Sequence, residues 1–172
     1  KLTVFGRWAN SFERRPFNNL DDATSGGGLR NRLSYHNSNW DALIGLEWVN
    51  DTYHWQMDLN EELINKNRET RDNYNLFGMV YLRPTPKWNL SIGGAVNSVN
   101  YKLTDQYSEN GDQSGKRNFP VIFSPRFGVN YAPSRHVAFF GSAGHGFSMP
   151  SPEETLLPEG DINKDLEPEQ GI

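Results

Sequence analysis

Trp40-Asp41-Ala42-Leu43-Ile44-Gly45-Leu46-Glu47-Trp48-Val49 is the stretch that decides the fold. Trp40, Ala42, Ile44, Leu46 and Trp48 share one parity, and Asp41, Leu43, Gly45, Glu47 and Val49 share the other. Successive side chains of a β-strand point to opposite faces, so this period of two yields one wholly apolar face and one that carries two carboxylates. Tryptophan brackets the apolar face at both ends.

Working outward, the same period recurs. Residues 73–83 set Tyr74, Leu76, Gly78, Val80 and Leu82 against Asn73, Asn75, Phe77, Met79, Tyr81 and Arg83. Residues 88–97 and 121–131 repeat the pattern, and weaker alternation covers 2–8, 29–37 and 137–147. A further strand is expected to start after Leu166. A helical period is hard to find anywhere. Three connections, 36–39, 84–87 and 132–135, are short and hold the Asn, Ser or Pro that tight turns need. The others, 10–28, 60–72, 103–118 and 148–165, are long and polar, and short alternates with long along the chain.

That sorting matters. A soluble sandwich has no reason for it, whereas an outer-membrane barrel puts short turns at one end and long loops at the other. The strand lengths suit a tilted crossing of a bilayer, and Trp40 and Trp48 sit where aromatic girdles belong. The sequence therefore predicts an all-β fold, an antiparallel up-and-down meander forming part of a transmembrane β-barrel. The competing expectation is a soluble antiparallel β-sheet binding module.

Composition agrees. Only 35% of the 172 residues are apolar while 13% are aromatic, which fits a thin outer band around a wet interior and argues against disorder. A net charge of -4 leaves no basic footprint for nucleic acid. Cysteine is absent, so disulfides and thiolate chemistry are excluded. No apolar run is long enough for a transmembrane helix.

From Ser124 onward the chain resembles TonB-dependent outer-membrane receptors. Ser124-Pro125-Arg126-Phe127-Gly128-Val129-Asn130-Tyr131 is similar to a barrel strand of that family, S-P-R-x-G-x-x-Y. Gly146-Phe147-Ser148-Met149-Pro150-Ser151-Pro152-Glu153-Glu154 resembles its G-F-x-x-P-x-x-x-E signature, and Leu166-Glu167-Pro168-Glu169 its L-x-P-E. Ser148 replaces a common Arg, and Thr155 a common Leu. The resemblance implies a bacterial outer-membrane receptor, not an enzyme and without a cofactor. Such a receptor takes up a ferric siderophore or similar scarce nutrient, with outer-membrane lipid and TonB as partners. Family barrels of about 22 strands enclose an N-terminal plug. No plug or TonB-contacting segment is recognisable here, so residues 1–172 are expected to be part of a barrel wall.

The remaining motifs are weak. His36, His54, His136 and His145 are not spaced as metal ligands, and no nucleophile elbow surrounds Ser142. Asp41, Glu47 and Asp58 fit a charged lumen better than a catalytic acid pair, and Glu153, Glu154 and residues 167–169 lack a calcium-loop spacing. Gly26-Gly27-Gly28 lacks the helix and Lys of a phosphate loop and is expected as a flexible segment at a loop base. Arg68 and Arg71, near a pore mouth, suit an anionic chelate through charge-assisted hydrogen bonds. With Tyr107 and His145 they are the ligand-binding candidates; no metal or catalytic residue is expected.

Overall fold

The structure is a computed structural model, and it describes residues 1–107, 109, 111–150, 152–155 and 162–172. Its main strands are β1 (Leu2–Arg14), β2 (Asn19–His36), β3 (Trp40–Leu59), β4 (Glu62–Thr85), β5 (Trp88–Asp105), β7 (Ile122–Tyr131) and β8 (Phe139–Gly144). They pair in chain order, each antiparallel to the next, with the short β6 (Gly115–Asn118) added beside β5. β9 (Gly146–Ser148) continues past β8 and pairs antiparallel with β10 (Glu169–Gly171), the strand expected after Leu166. A four-residue helix, α1 (Pro152–Thr155), lies between them.

Antiparallel pairing of 73–83 with 88–97 is found, from Asn73↔Val99 to Leu82↔Leu90, with Thr85 opposite Trp88 across the turn. Facing also follows the period of two. Ile44 lies between Leu33 and Gly78, and Leu46 beside Leu76, with Ile44 54% exposed. On the opposite face Glu47 pairs with Arg30, while Asp41 pairs with Arg83 and His36. The outer face thus carries an apolar band across the strands, from Val4 through Leu29, Leu46, Leu76 and Val96 to Phe123. Trp88 stacks on Tyr131 with centroids 4.3 Å apart, and Tyr35 lies 4.6 Å from Trp40, both at the short-turn end of the band.

The long connections are where the structure departs from expectation. Residues 10–28 and 60–72 are mostly strand, not loop. β1 and β2 pair as far as Arg14↔Asn19, leaving only 15–18 as the turn. β3 and β4 pair from Trp40↔Leu82 to Leu59↔Glu62, and the reversal takes only Asn60 and Glu61, both at positive φ (51° and 71°). Two consecutive left-handed residues make the primed turn that suits the twist of a hairpin. The physical reason for the difference is that most of residues 18–28 and 66–73 are polar or glycine on both faces. The hydrogen-bonded ladder continues, but the apolar alternation that marks a strand in sequence stops. Gly26-Gly27-Gly28 accordingly sits inside β2 rather than at a loop base.

In 103–118, β5 runs to Asp105 and β6 occupies the end, so the connection proper is 106–114. The expected loop 148–165 contains α1, and its residues 151 and 156–161 lie outside the described ones. Sorting by end survives these changes. Turns 15–18 and 60–61, the end of β5 at Asp105 and the end of β9 at Ser148 fall at one end of the meander; turns 37–39, 86–87 and 132–138 fall at the other.

Candidate functional site

The inner face is built in rows, because antiparallel register sets residues of successive strands side by side. At the short-turn end, Arg83 donates to both oxygens of Asp41 (2.6 and 3.0 Å) and to the carbonyls of Asn37 and Ser38 (2.9 and 3.3 Å). His36 completes the group against Asp41. These bonds tie the β2–β3 turn to the end of β4 and leave Asp41 with no spare role. Midway up, Arg30, Glu47, Asn75 and Asn97 stand in one row, with Arg30 bound to Glu47.

Two rows above the band carry the densest chemistry. Arg7, Gly26, Asp51, Arg71, Tyr101 and Arg117 are neighbours across six strands. Arg7 reaches over β2 to form a two-point ion pair with Asp51 (2.9 and 2.5 Å). Glycine at position 26 makes this possible: a Cβ there would run into the Asp51 carboxylate. The next row holds Thr24, Tyr53 and Glu69. Glu69 is buried and accepts a 2.6 Å bond from the Trp55 indole. Together Arg7, Thr24, Asp51, Tyr53, Glu69, Arg71, Asn73 and Tyr101 line a cavity of about 390 Å³.

One side of this cavity is roofed. Val99, Tyr101 and Leu103 on the inner face of β5 pack with Phe119 and Ile162, and Met149 lies against them. Arg117 donates to the Leu166 carbonyl (2.9 Å) while its guanidinium lies 5.7 Å from the Phe119 ring. The segment after β9 therefore folds inward over the wall instead of standing away from it.

The four sequence candidates are not brought together. Arg71 lines the cavity, but Arg68 is on the opposite, outer face of β4, opposite His54 and Thr104. Tyr107 is in the 106–114 connection, its hydroxyl bonded to Glu109 (3.0 Å) and its amide to Asp105 (2.8 Å). The Glu109 carboxylate, with burial and the charge of Glu62 adding to it, pushes the Tyr107 phenol above its ordinary value. His145 sits at the break between β8 and β9, where its amide donates to the Pro125 carbonyl (3.0 Å). Sequence reasoning missed Arg7, Asp51, Tyr53 and Tyr101. The signal was parity: carried past Trp48, the odd positions of β3 place Asp51, Tyr53 and Trp55 on the face of Glu47.

Among the described residues no group of His, Cys, Asp or Glu is arranged to hold a metal ion. No helix is long and apolar enough to cross a membrane, which leaves crossing by strands untouched.

An apolar outer band with aromatic ends, a charged inner face and an up-and-down meander define the wall of an outer-membrane β-barrel. A family model described as "TonB dependent receptor-like, beta-barrel" matches residues 2–172, so the chain belongs to that family. No curated protein matches the chain closely. The family is one of bacterial outer-membrane transport receptors, not enzymes, and works with outer-membrane lipid, a plug and TonB.

Proposed function

We propose that this chain is the wall and part of the external vestibule of a receptor that takes up a ferric siderophore or a similar anionic chelate. The observation that carries this reading is the cavity above the membrane band, whose lining includes Arg7, Asp51 and Arg71 together with Tyr53 and Tyr101. Arginines give bidentate, charge-assisted bonds to carboxylate or catecholate oxygens, and aromatic faces suit the planar parts of such ligands. In this reading residues 1–172 form one barrel segment. The family's plug, resting on the inner rows lower down, moves when TonB pulls on it. Tyr107 and His145 take a rim position, and Arg68 takes no part in binding.

The test separates the two arginines. Arg71→Gln should weaken binding of a ferric chelate about tenfold or more, because a hydrogen bond to a charged group is lost. Arg68→Gln should leave it unchanged. Equal losses from both variants, or none from either, would remove the cavity from the binding path. A neutral nutrient transported as well as an anionic one would exclude the chelate reading.

A further inference from the structure

We propose that the outer face of β1, β2 and β3 around Asn31 is an interface between two copies of this receptor, joined inside the bilayer by a pair of Asn31 side-chain amides. Asn31 is exposed on β2, directly opposite Leu2 on β1 and Leu46 on β3. Its chain neighbours Arg30 and Arg32 take the inner face, so the pleat fixes its direction outward. The same row continues as Leu76, Val96 and Phe123 on β4, β5 and β7. One amide therefore interrupts a row that is otherwise wholly apolar.

Depth makes that amide costly. Asn31 lies four residues above Tyr35 on β2, and Leu29, two residues above it, is level with Trp48. At about 3.3 Å per residue and a tilt of roughly 40°, the amide stands roughly 10 Å above the lower aromatic ring and still below the upper one. That is hydrocarbon, where an unpaired polar group is strongly disfavoured. The side chain is too short to reach either surface. β2 is flanked by strands on both sides, so every neighbour of Asn31 on this face is described. Along β2 they are Leu29 and Leu33, and on the diagonals Val4 and Ile44. The remaining diagonal neighbour, Trp48, donates its indole N–H to Asp72 (3.2 Å). Among the described residues nothing hydrogen-bonds the Asn31 side chain.

Chemistry and membrane geometry together select a second copy as the occupant. A lipid tail offers neither a donor nor an acceptor, whereas a carboxamide carries both and is complementary to itself. All copies insert into the outer membrane in the same direction, so a two-fold axis between them runs along the membrane normal. Such an axis preserves depth and sets a residue against its own counterpart. Asn31 then meets Asn31 of the second copy at one level, and two N–H···O bonds close between them. A different membrane protein would have to carry a polar group at that same depth, which an identical copy does by construction. The approach is open: Gly6 and Gly27 face each other on this same surface just above Val4 and Leu29, where no side chain holds a second backbone away. None of this depends on which ligand the receptor carries.

The experiment uses the full-length receptor. Residues 1–172 contain no cysteine, so Asn31→Cys adds a single thiol to this segment. In outer membranes a short bifunctional methanethiosulfonate should join two receptors through that thiol. The yield should be roughly tenfold above that of Ile92→Cys, an outward position three strands away that is 57% exposed. Purified receptor, labelled for energy transfer and diluted in phospholipid vesicles, gives the second measurement. Asn31→Leu should weaken self-association about five- to tenfold, the worth of two amide hydrogen bonds within a membrane. At high dilution the same variant should resist urea unfolding at least as well as the wild type, because it removes a polar group from hydrocarbon. Weaker association beside undiminished stability separates a lost interface from a damaged barrel. A wild type that stays monomeric at every protein density, or association untouched by Asn31→Leu, would overturn the proposal. So would equal cross-linking at positions 31 and 92, or cross-linking of the Asn31→Cys receptor to a different outer-membrane protein in place of a second copy.

Discussion

The lower and upper halves of the β3–β4 hairpin have the same backbone and opposite chemistry. Below Trp48 the outer face is Ala42, Ile44 and Leu46 against Val80, Gly78 and Leu76. Above it, the same face is Asn50, Thr52, His54 and Gln56 against Asp72, Thr70, Arg68 and Lys66. One continuous ladder runs through both, interrupted only by a bulge between Met57 and Asp58. Hydrogen bonding therefore fixes the hairpin, and the solvent around each half fixes its side chains. In hydrocarbon every backbone group must be paired and every outward side chain apolar. Above the girdle only the pairing is kept.

Arginine substitutions give the largest contrast between the halves. Ile44→Arg, in the middle of the band, should destabilise the barrel by about 2–4 kcal/mol. Ser25→Arg, exposed on the same face above the girdle, should change stability by less than about 0.5 kcal/mol. Urea unfolding from lipid vesicles measures both. Similar costs at the two sites would erase the boundary drawn at Trp48.

The inner face offers the next test. Gly26→Ala puts a methyl group against Asp51 and 2.9 Å from the Asn50 carbonyl, and should cost about 1–3 kcal/mol while breaking the Arg7–Asp51 pair. At Gly6, on the outer face, the nearest atom to a new Cβ is 3.7 Å away, so Gly6→Ala should be neutral or stabilising by up to about 1 kcal/mol. The reverse order of effects would mean that Arg7 does not reach across β2. At the hairpin tip, Glu61 holds a left-handed conformation that costs an L-residue roughly 1–2 kcal/mol. Glu61→Gly should accordingly stabilise the hairpin by about 0.5–1 kcal/mol after the added chain entropy. Hydrogen exchange of the β3–β4 amides above Trp48 would show it, with the band amides unaffected.

How much of this was legible in the sequence follows the same boundary. Within the band, Trp40 to Trp48 announces strand, facing and girdle at once, since one face must be apolar and the other wet. Pairing of β4 with β5 through a turn within 84–87 was equally open, and the structure closes it at Pro86 and Lys87. Above the band, Arg68 and Glu69 differ in face but not in polarity, so residues 10–28 and 60–72 look like loops while forming strands. The same blindness hid the site. Arg68 and Arg71 look alike in sequence and are separated only by the pleat. Arg7 meets Asp51 only because two strand pairings place them on either side of Gly26, and no local pattern carries that information. The family motifs from Ser124 onward identified the class without locating any binding residue.

The smallest expected effect concerns the 106–114 connection, which follows β5 at the end opposite the short turns. Tyr107 donates its hydroxyl to Glu109, and Glu62 at the base of the β3–β4 tip adds negative charge nearby. Ionising the phenol would break that bond and set two or three negative charges together, so its folded-state value is raised. The sign of the linkage follows. This contact contributes fully while pH is below the ordinary tyrosine range, and is lost as pH climbs through the raised folded value. Because the group is exposed, the effect belongs to local order rather than global stability. Tyrosinate absorbance, taken as the difference between wild type and Tyr107→Phe, should show Tyr107 titrating above ordinary tyrosine. Glu109→Gln should move it back most of the way, and Glu62→Gln by less, since Glu62 acts only through its charge. If Glu62→Gln has the larger effect, the connection leans on the hairpin tip instead of holding itself through Glu109. The polar upper half would then be stitched from loop to hairpin, as the Arg83–Asp41 group stitches turn to strand at the opposite end.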